Sequence, residues 1–342
     1  MASIKDVAKL AQVSISTVSL AMNYPERVTA ETKDKIFSAM KELQYVPSSG
    51  EKRSVAAVQK RTSVALITGE IFGPYYYEIL RGISETLTIH GLEMVMMCGT
   101  ESVKRHFYQA LANPSFCGII LTNIGDLTQT DIDFATGKNI SVVMCHSECS
   151  YKDVGCVTVD NFYIGRMVAN HLLCVDYESA GIMGRRYSTT EGRAEGFIHT
   201  MEKNGIMIPP QWDMDVALDE KAGYSQMKEL LEAGTELPQA VFCLNDEIAL
   251  GVMQALREFA INIPEDIGIV GCDDIPISKF AVSPLTTIAM PKFEMGMMAV
   301  NLLMRQVNGK PAENVVLNGK LIIRESCGYK KWRREGSERR RR

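Results

Sequence analysis

Between residues 62 and 329, short apolar runs alternate with stretches of helical periodicity, and this alternation restricts the possible folds more than any other feature. The runs are 64–68, 92–98, 118–122 and 141–145, followed by 181–184, 240–244 and 267–271. Most lack the in-out alternation of a half-solvated strand. They therefore read as strands buried on both faces, in parallel sheets covered by helices. The expected class is α/β, with two doubly wound parallel sheets forming two lobes. In such sheets ligands bind at the carboxyl ends of the strands, so the residues there are the site candidates.

Composition excludes several functions. The chain is 46% apolar and 23% charged, and no window reaches the ~18–20 uncharged apolar residues of a membrane span. The N-terminus lacks the basic and apolar regions of a secretory signal, so a cytoplasmic, nucleoid-associated location is expected. Nine cysteines without a C-x-x-C pair read as reduced thiols. Cys145, His146 and Cys149 end an apolar run and are read as a strand end, so no metal and no cofactor is expected. Phosphate-loop, dinucleotide, nucleophile-elbow and H-E-x-x-H motifs are absent, and no catalytic residue is assigned.

Charge is unevenly distributed. Residues 1–61 hold ten Lys/Arg against six Asp/Glu, and residues 330–342 hold eight against two, while the body between them is strongly acidic. Basic ends on an acidic body direct nucleic acid to an end.

The first fifty residues read as three short helices. Ser3 caps the first, with Asp6 three residues later, and Ile4, Val7, Ala8 and Ala11 form its apolar face. Gln12 and Val13 make a tight turn, and Ser14 caps a second helix. Thr29 caps a third, which buries Ile36, Phe37, Met40 and Leu43. This is the pattern of a helix-turn-helix. On the second helix Val18, Ala21 and Met22 face inward, while Ser16, Ser19, Leu20 and Asn23 share the outer face and Ile15 starts the helix. A solvated face would carry Lys and Glu. Small polar and apolar side chains suit a surface laid against base edges in a major groove, and a protein-docking three-helix bundle is the competing reading.

Asp6-Val7-Ala8-Lys9-Leu10-Ala11, Val13-Ser14, Thr17-Val18-Ser19, Asn23, Arg27-Val28-Thr29 and Leu43-Gln44-Tyr45-Val46-Pro47 together closely resemble the headpiece of the lactose/galactose repressor family. The resemblance continues through Leu80-Arg81-Gly82-Ile83, Val159-Asp160-Asn161, Arg193-Ala194-Glu195-Gly196-Phe197, Asn245-Asp246 and Gly271-Cys272-Asp273-Asp274 to Pro284-Leu285-Thr286-Thr287-Ile288. It implies a helix-turn-helix headpiece at 1–48, a hinge or linker at 49–61 and a two-lobed periplasmic-binding-protein-like effector and dimerisation domain at 62–329; the composition of 330–342 reads as a basic disordered tail. The chain would cross between the lobes near Asn161, Met290 and Lys320.

The resemblance also implies site residues. DNA contacts fall on Ile15, Ser16, Thr17, Ser19, Leu20, Asn23 and Arg27. Val55 and Val58 stand near the family's minor-groove wedge, in a segment that reads equally as a flexible basic linker. Effector contacts fall on Tyr75, Tyr76, Thr122, His146, Phe162, Arg193, Asn245 and Asp273, in the cleft between the lobes. The segment after Pro47 departs from the family, being about two residues longer, and so do three single positions. Gln12 replaces a turn glycine, Leu20 an arginine that reads guanine, and His146 a strand-end aspartate. An imidazole both donates and accepts, unlike a carboxylate, so the ligand hydroxyl pattern must differ.

The expected function is a homodimeric repressor on a pseudo-palindromic operator, controlled by a carbohydrate effector. A catabolite regulator that answers to a phosphorylated carrier protein and a nucleobase-responsive regulator are the alternatives. A transport solute-binding protein and an α/β enzyme with a regulatory headpiece are the competing classes. Leu20→Arg should shift half-site preference toward guanine, because arginine bonds its O6 and N7 edge. Selection from a randomised half-site should show this shift. An unchanged preference would remove the second helix as the base-reading element.

Overall fold

The computed structural model describes residues 4–15, 17–18, 21, 28–43, 61–69, 73–99, 103–122, 127–147, 151–187 and 189–329. The chain divides into two compact units, Met1–Val157 with Lys292–Val315 and Thr158–Pro291 with Val316–Arg342. It passes from one to the other three times. Two passages fall beside Asn161 and Met290 as expected, and the third lies before Lys320, inside a strand over Asn314–Leu317.

The first unit begins with helices α1 (Ile4–Leu10) and α2 (Ala30–Glu42). Its sheet contains β1 (Ser63–Thr68), β2 (Glu93–Cys98), β3 (Phe116–Thr122), β4 (Ser141–Cys145), β5 (Gly155–Val159) and β11 (Asn314–Leu317), in the order β11-β5-β4-β3-β1-β2. The β2-β1, β1-β3, β3-β4 and β4-β5 pairs are all parallel. Helices α3 (Gly73–Ile89), α4 (Val103–Ala112), α5 (Gln129–Gly137) and α10 (Lys292–Val307) accompany it. Ala65, Ile67, Ile119, Leu121, Val142 and Met144 pack on one face with Phe107 and Ile132. The intervening Val64, Leu66, Ile120 and Val143 are equally buried. Both faces of the central strands are covered, which explains their uninterrupted apolar runs. The run at 92–98 is an exception. As β2 it forms the edge of the sheet and leaves Val95 39% and Met96 48% exposed.

The second unit holds a parallel sheet of β6 (Ala180–Met183), β7 (Asp213–Met214), β8 (Ala240–Cys243) and β9 (Gly268–Val270), in the order β7-β6-β8-β9. It is flanked by α6 (Asn161–Cys174), α7 (Glu191–Lys203), α8 (Glu220–Glu232) and α9 (Asp246–Glu258). Val241, Cys243, Ile248, Val252, Leu256 and Ile269 belong to one buried core with Trp212. An antiparallel pair, β10 (Thr287–Ala289) with β12 (Lys320–Ile322), carries the chain toward its later passages between units. β5, β7, β10, β11 and β12 have no counterpart among the sequence-predicted strands. Strands of two to five residues are too short to show a period and exist through their pairing partners.

Among the described residues no helix is long and apolar enough to cross a membrane, and no group of three His, Cys, Asp or Glu is placed to hold a metal.

A buried polar cluster closes the C-terminal end of the second unit. His171 Nε2 lies 3.1 Å from Cys327 Sγ, and Thr286 donates its hydroxyl to the same sulfur. Burial pushes the His171 imidazole down to about 4. Because the folded pKa is depressed, its contribution to stability is complete above ~6.5 and is lost as pH falls through about 4. Denaturant unfolding across that window should show His171→Gln losing on the order of 2–3 kcal/mol less stability than the parent. Parallel pH profiles would show that His171 is not held neutral by the fold.

Candidate functional site

The headpiece is assembled by side chains that cap its helices. The N–H of Val13 donates to the carbonyl of Ala8, and Gln12 adopts a left-handed φ of 55°, a conformation that favours glycine. The turn therefore forms with glutamine at a local conformational cost. Ser14 Oγ then accepts from the backbone N–H of Thr17 at 3.0 Å and lies 2.7 Å from its hydroxyl, which caps the second helix. Thr29 caps α2 by accepting from Thr32 N. Val7, Ala8, Ala11, Val18, Ala21, Ile36, Ala39 and Met40 form the common core. Phe37 and Leu43 are only partly buried. Ile15 stands 44% exposed at the start of the second helix, while the Thr17 hydroxyl is occupied by Ser14. Ser16, Ser19, Leu20, Asn23, Arg27, Val55 and Val58 lie outside the described residues, as do Ser3 and Met22.

In the first unit the effector candidates gather at the carboxyl ends of neighbouring strands. Register sets Thr68, Thr122 and Cys145 side by side at the ends of β1, β3 and β4. Thr122 is buried. Gly73, with φ of 72°, turns the chain into α3, whose first turn carries Tyr75 and Tyr76. His146 follows β4 with φ of 63°, and its N–H donates to the carbonyl of Val157. The Tyr75 ring lies 4.9 Å from His146 and 5.4 Å from Tyr76, which meets it edge-on. Tyr76 stands 6.0 Å from His146, also edge-on. Sequence reasoning missed Lys292, a buried lysine whose ammonium lies 5.7 Å from the centre of the Tyr75 ring. Its only signal was its place next to Pro291.

In the second unit Arg193 and Phe162 depend on a close helix crossing. Gly165 and Gly196 face each other between α6 and α7, and a methyl group on either would overlap the carbonyl of Arg193 or of Phe162. At this crossing Arg193 is 3% exposed. Its guanidinium donates to the carbonyl of Leu244 and, at 3.1 Å, to Asn161 Oδ1. Phe162 remains 42% exposed, 6.0 Å from the His199 ring. Asn245 caps α9: its Oδ1 accepts from Ile248 N at 2.9 Å and its Nδ2 donates to the carbonyl of Leu218 at 3.0 Å. Asp273 follows β9 with φ of 122°, and its N–H donates to the carbonyl of Ile288. Arg193 and Asn245 are thus joined through Leu244, and both have partners within the protein. Asn161 and Asp246 are polar residues of this region that received no role from the sequence.

Residues 3–48 match the family described as "Bacterial regulatory proteins, lacI family", and residues 169–327 match a "Periplasmic binding protein-like domain". The HTH-type transcriptional repressor PurR of Pasteurella multocida (strain Pm70) is 34% identical over 95% of this chain and 98% of its own length. The chain belongs to the LacI family. The repressor of the same name from Haemophilus influenzae (strain PittEE) is 33% identical over equal shares. The solved transcriptional regulator CelR–cellobiose complex superposes with a TM-score of 0.69 at 25% identity, over 95% of this chain and 100% of that one. The lac repressor dimer bound to operator and the anti-inducer ONPF superposes with a TM-score of 0.67 at 24% identity, over 95% and 98% of the two chains, and shares the fold. This LacI-family chain is a DNA-binding transcriptional repressor and not an enzyme. Its N-terminal helix-turn-helix precedes a periplasmic-binding-protein-like α/β body.

Gly196→Ala should force α6 and α7 apart and cost on the order of 3 kcal/mol, the upper range for overpacking. A denaturant midpoint equal to the parent's would show that the two helices have room to spare.

Proposed function

We propose that this repressor binds a pseudo-palindromic operator as a homodimer, and that a nucleobase rather than a sugar sets its operator affinity. The observation that carries the effector reading is the cluster of Tyr75, Tyr76 and His146 rings at the strand ends of the first unit. Offset and edge-to-face arrangements suit a flat heterocycle, and the His146 imidazole matches the mixed donors and acceptors on its rim. A sugar requires a polar partner for each hydroxyl. Here both polar atoms of the Asn245 amide are engaged by the backbone, and Arg193 donates to Leu244 and Asn161. The full-length relatives named PurR support the same choice.

Effector recognition draws on Tyr75, Tyr76, Thr122, His146 and Lys292 of the first unit; within the second unit taken by itself, Phe162, Arg193 and Asp273 are the candidates. Asn245 acts by holding Leu218 and the start of α9. Base reading falls to Ile15, Ser16, Thr17, Ser19, Leu20 and Asn23, with Arg27 nearby and with Val55 or Val58 as the minor-groove wedge. The division into headpiece 1–48, hinge 49–61, body 62–329 and basic tail 330–342 fits these roles, and the protein acts in the cytoplasm. Dimerisation is supported by the second unit, where Ile277, Phe280 and Val282 are 51%, 73% and 85% exposed. Phe280 and Val282 border a groove of about 470 Å³ walled by Leu250, Met253 and Ile261. Apolar surface of this kind marks an interface, and two-fold pairing gives two headpieces for two half-sites.

The test is a titration of the full chain with hypoxanthine, guanine, ribose and cellobiose, read by thermal unfolding and by affinity for an operator selected from random duplexes. A base at ~100 times its Kd should stabilise the fold by ~2.7 kcal/mol, raise the melting temperature by several degrees and change operator affinity. A response to a sugar alone would return the effector to the carbohydrate class. A response to none of the four would point to a protein partner instead.

A further inference from the structure

Asp246 is fully buried at the first position of α9, yet it does not cap that helix, because Asn245 does. Its carboxylate reaches across the second unit. Oδ2 accepts from the backbone N–H of Ile275 at 2.9 Å and from the Ser278 hydroxyl at 2.6 Å. Oδ1 accepts from the Thr287 hydroxyl at 2.5 Å, and a side chain at Gly271 would fill the space this oxygen occupies. A buried carboxylate that meets hydroxyl and backbone donors at this density is fixed in place.

The partners of Asp246 converge on residues 273–275, the loop after β9. The amides of that loop are all hydrogen-bonded. Asp273 N donates to the carbonyl of Ile288, Asp274 N to Thr287 Oγ1 at 3.3 Å, and Ile275 N to Asp246. Asp273 and Asp274 have φ of 122° and 51°, a left-handed backbone that persists only when its surroundings impose it. The Asp274 carboxylate is held by Arg324 at 2.6 Å, and Arg324 also donates to the carbonyl of Leu285 and to Thr286 Oγ1. The loop is therefore fastened to β10 and to the segment that follows β12, the antiparallel pair next to the chain's second and third passages between units. Thr287 is the joint, since its single hydroxyl donates to Asp246 and accepts from Asp274 N.

We infer that Asp246 and Thr287 are positioning residues, a buried latch that holds the Asp273 loop in its left-handed form against β10 and so tunes effector affinity. The ligand half of this inference rests on Asp273 as an effector contact. The latch itself does not.

The experiment uses the full chain with Thr287→Val and Thr287→Ser. Valine keeps the shape but leaves Asp246 Oδ1 and Asp274 N without their partner, whereas serine keeps the hydroxyl. Amide hydrogen exchange without ligand should rise at Asp273, Asp274 and Ile275 in Thr287→Val and stay at the parent level in Thr287→Ser. Hypoxanthine affinity by calorimetry should fall roughly tenfold to a hundredfold in the valine variant only, as expected for buried groups left unpaired. Ligand-free operator affinity should remain within about twofold of the parent, which a general loss of folding would not allow. If Thr287→Val does not fold, Asp246→Asn decides by the same exchange measurement, because its Nδ2 cannot accept from Thr287. Parent-like exchange in the variant overturns the latch. If the parent fails to bind hypoxanthine while the exchange pattern holds, the nucleobase reading fails and the latch stands.

Discussion

Parallel strands end on one edge of their sheet, and this constraint places most of the candidate effector residues in the protein. A strand that must return parallel to its neighbour is followed by a crossover helix, so the turns after β1, β3 and β4 open on one side. Tyr75, Tyr76, Thr122 and His146 come from segments far apart in the chain, and strand register together with the turns that follow the strands brings them together. The same rule applies independently to the second unit. There Leu244 and Asn245 follow β8, and Asp273 follows β9. Covering both faces of the sheets with helices keeps these edges rigid and leaves the connecting turns free to vary in chemistry.

Rigidity at those edges depends on backbone approaching backbone. Gly165 opposite Gly196 and Gly82 opposite Gly296 let helices cross so closely that even a methyl group would collide with a carbonyl. The second unit's crossing delivers Arg193 to Leu244 and Asn161 in a buried position. A guanidinium in such a place is held by hydrogen bonds to several segments, so it organises the site whether or not it also touches the effector. Asn245 carries this further: as a helix cap tied to Leu218, it shapes the site through the backbone.

Buried polar groups were the least legible part of the sequence. In the sequence Asp246 stood only as half of the Asn245-Asp246 pair that carries the family resemblance, and at the helix start it occupies a carboxylate would ordinarily serve the helix dipole. Its oxygens instead serve residues 275, 278 and 287, all about thirty to forty positions away. Lys292 gave no signal beyond its place next to Pro291, because a lone lysine is normally a solvated residue, and only the tertiary structure buries it beside Tyr75. The edge position of β2 was hidden for a related reason. Val95 and Met96 have the composition of buried strand residues, and the sheet order alone exposes them.

The sequence by itself determined what short-range physics controls. Ser14 and Thr29 cap their helices where their spacing predicts, and the uninterrupted apolar runs at 118–122 and 141–145 are strands covered on both faces. The headpiece motif and the α/β body were legible for the same reason, since caps, turns and periodicity act over a few residues. Tertiary structure decided which distant residues meet. It chose the edge strand, joined Tyr75 to His146, committed Asn245 to a cap, and turned Asp246 and Thr287 into a clamp on the Asp273 loop. Those outcomes depend on register, helix crossing and the need to satisfy buried polar atoms, and these act between segments whose proximity no local pattern encodes.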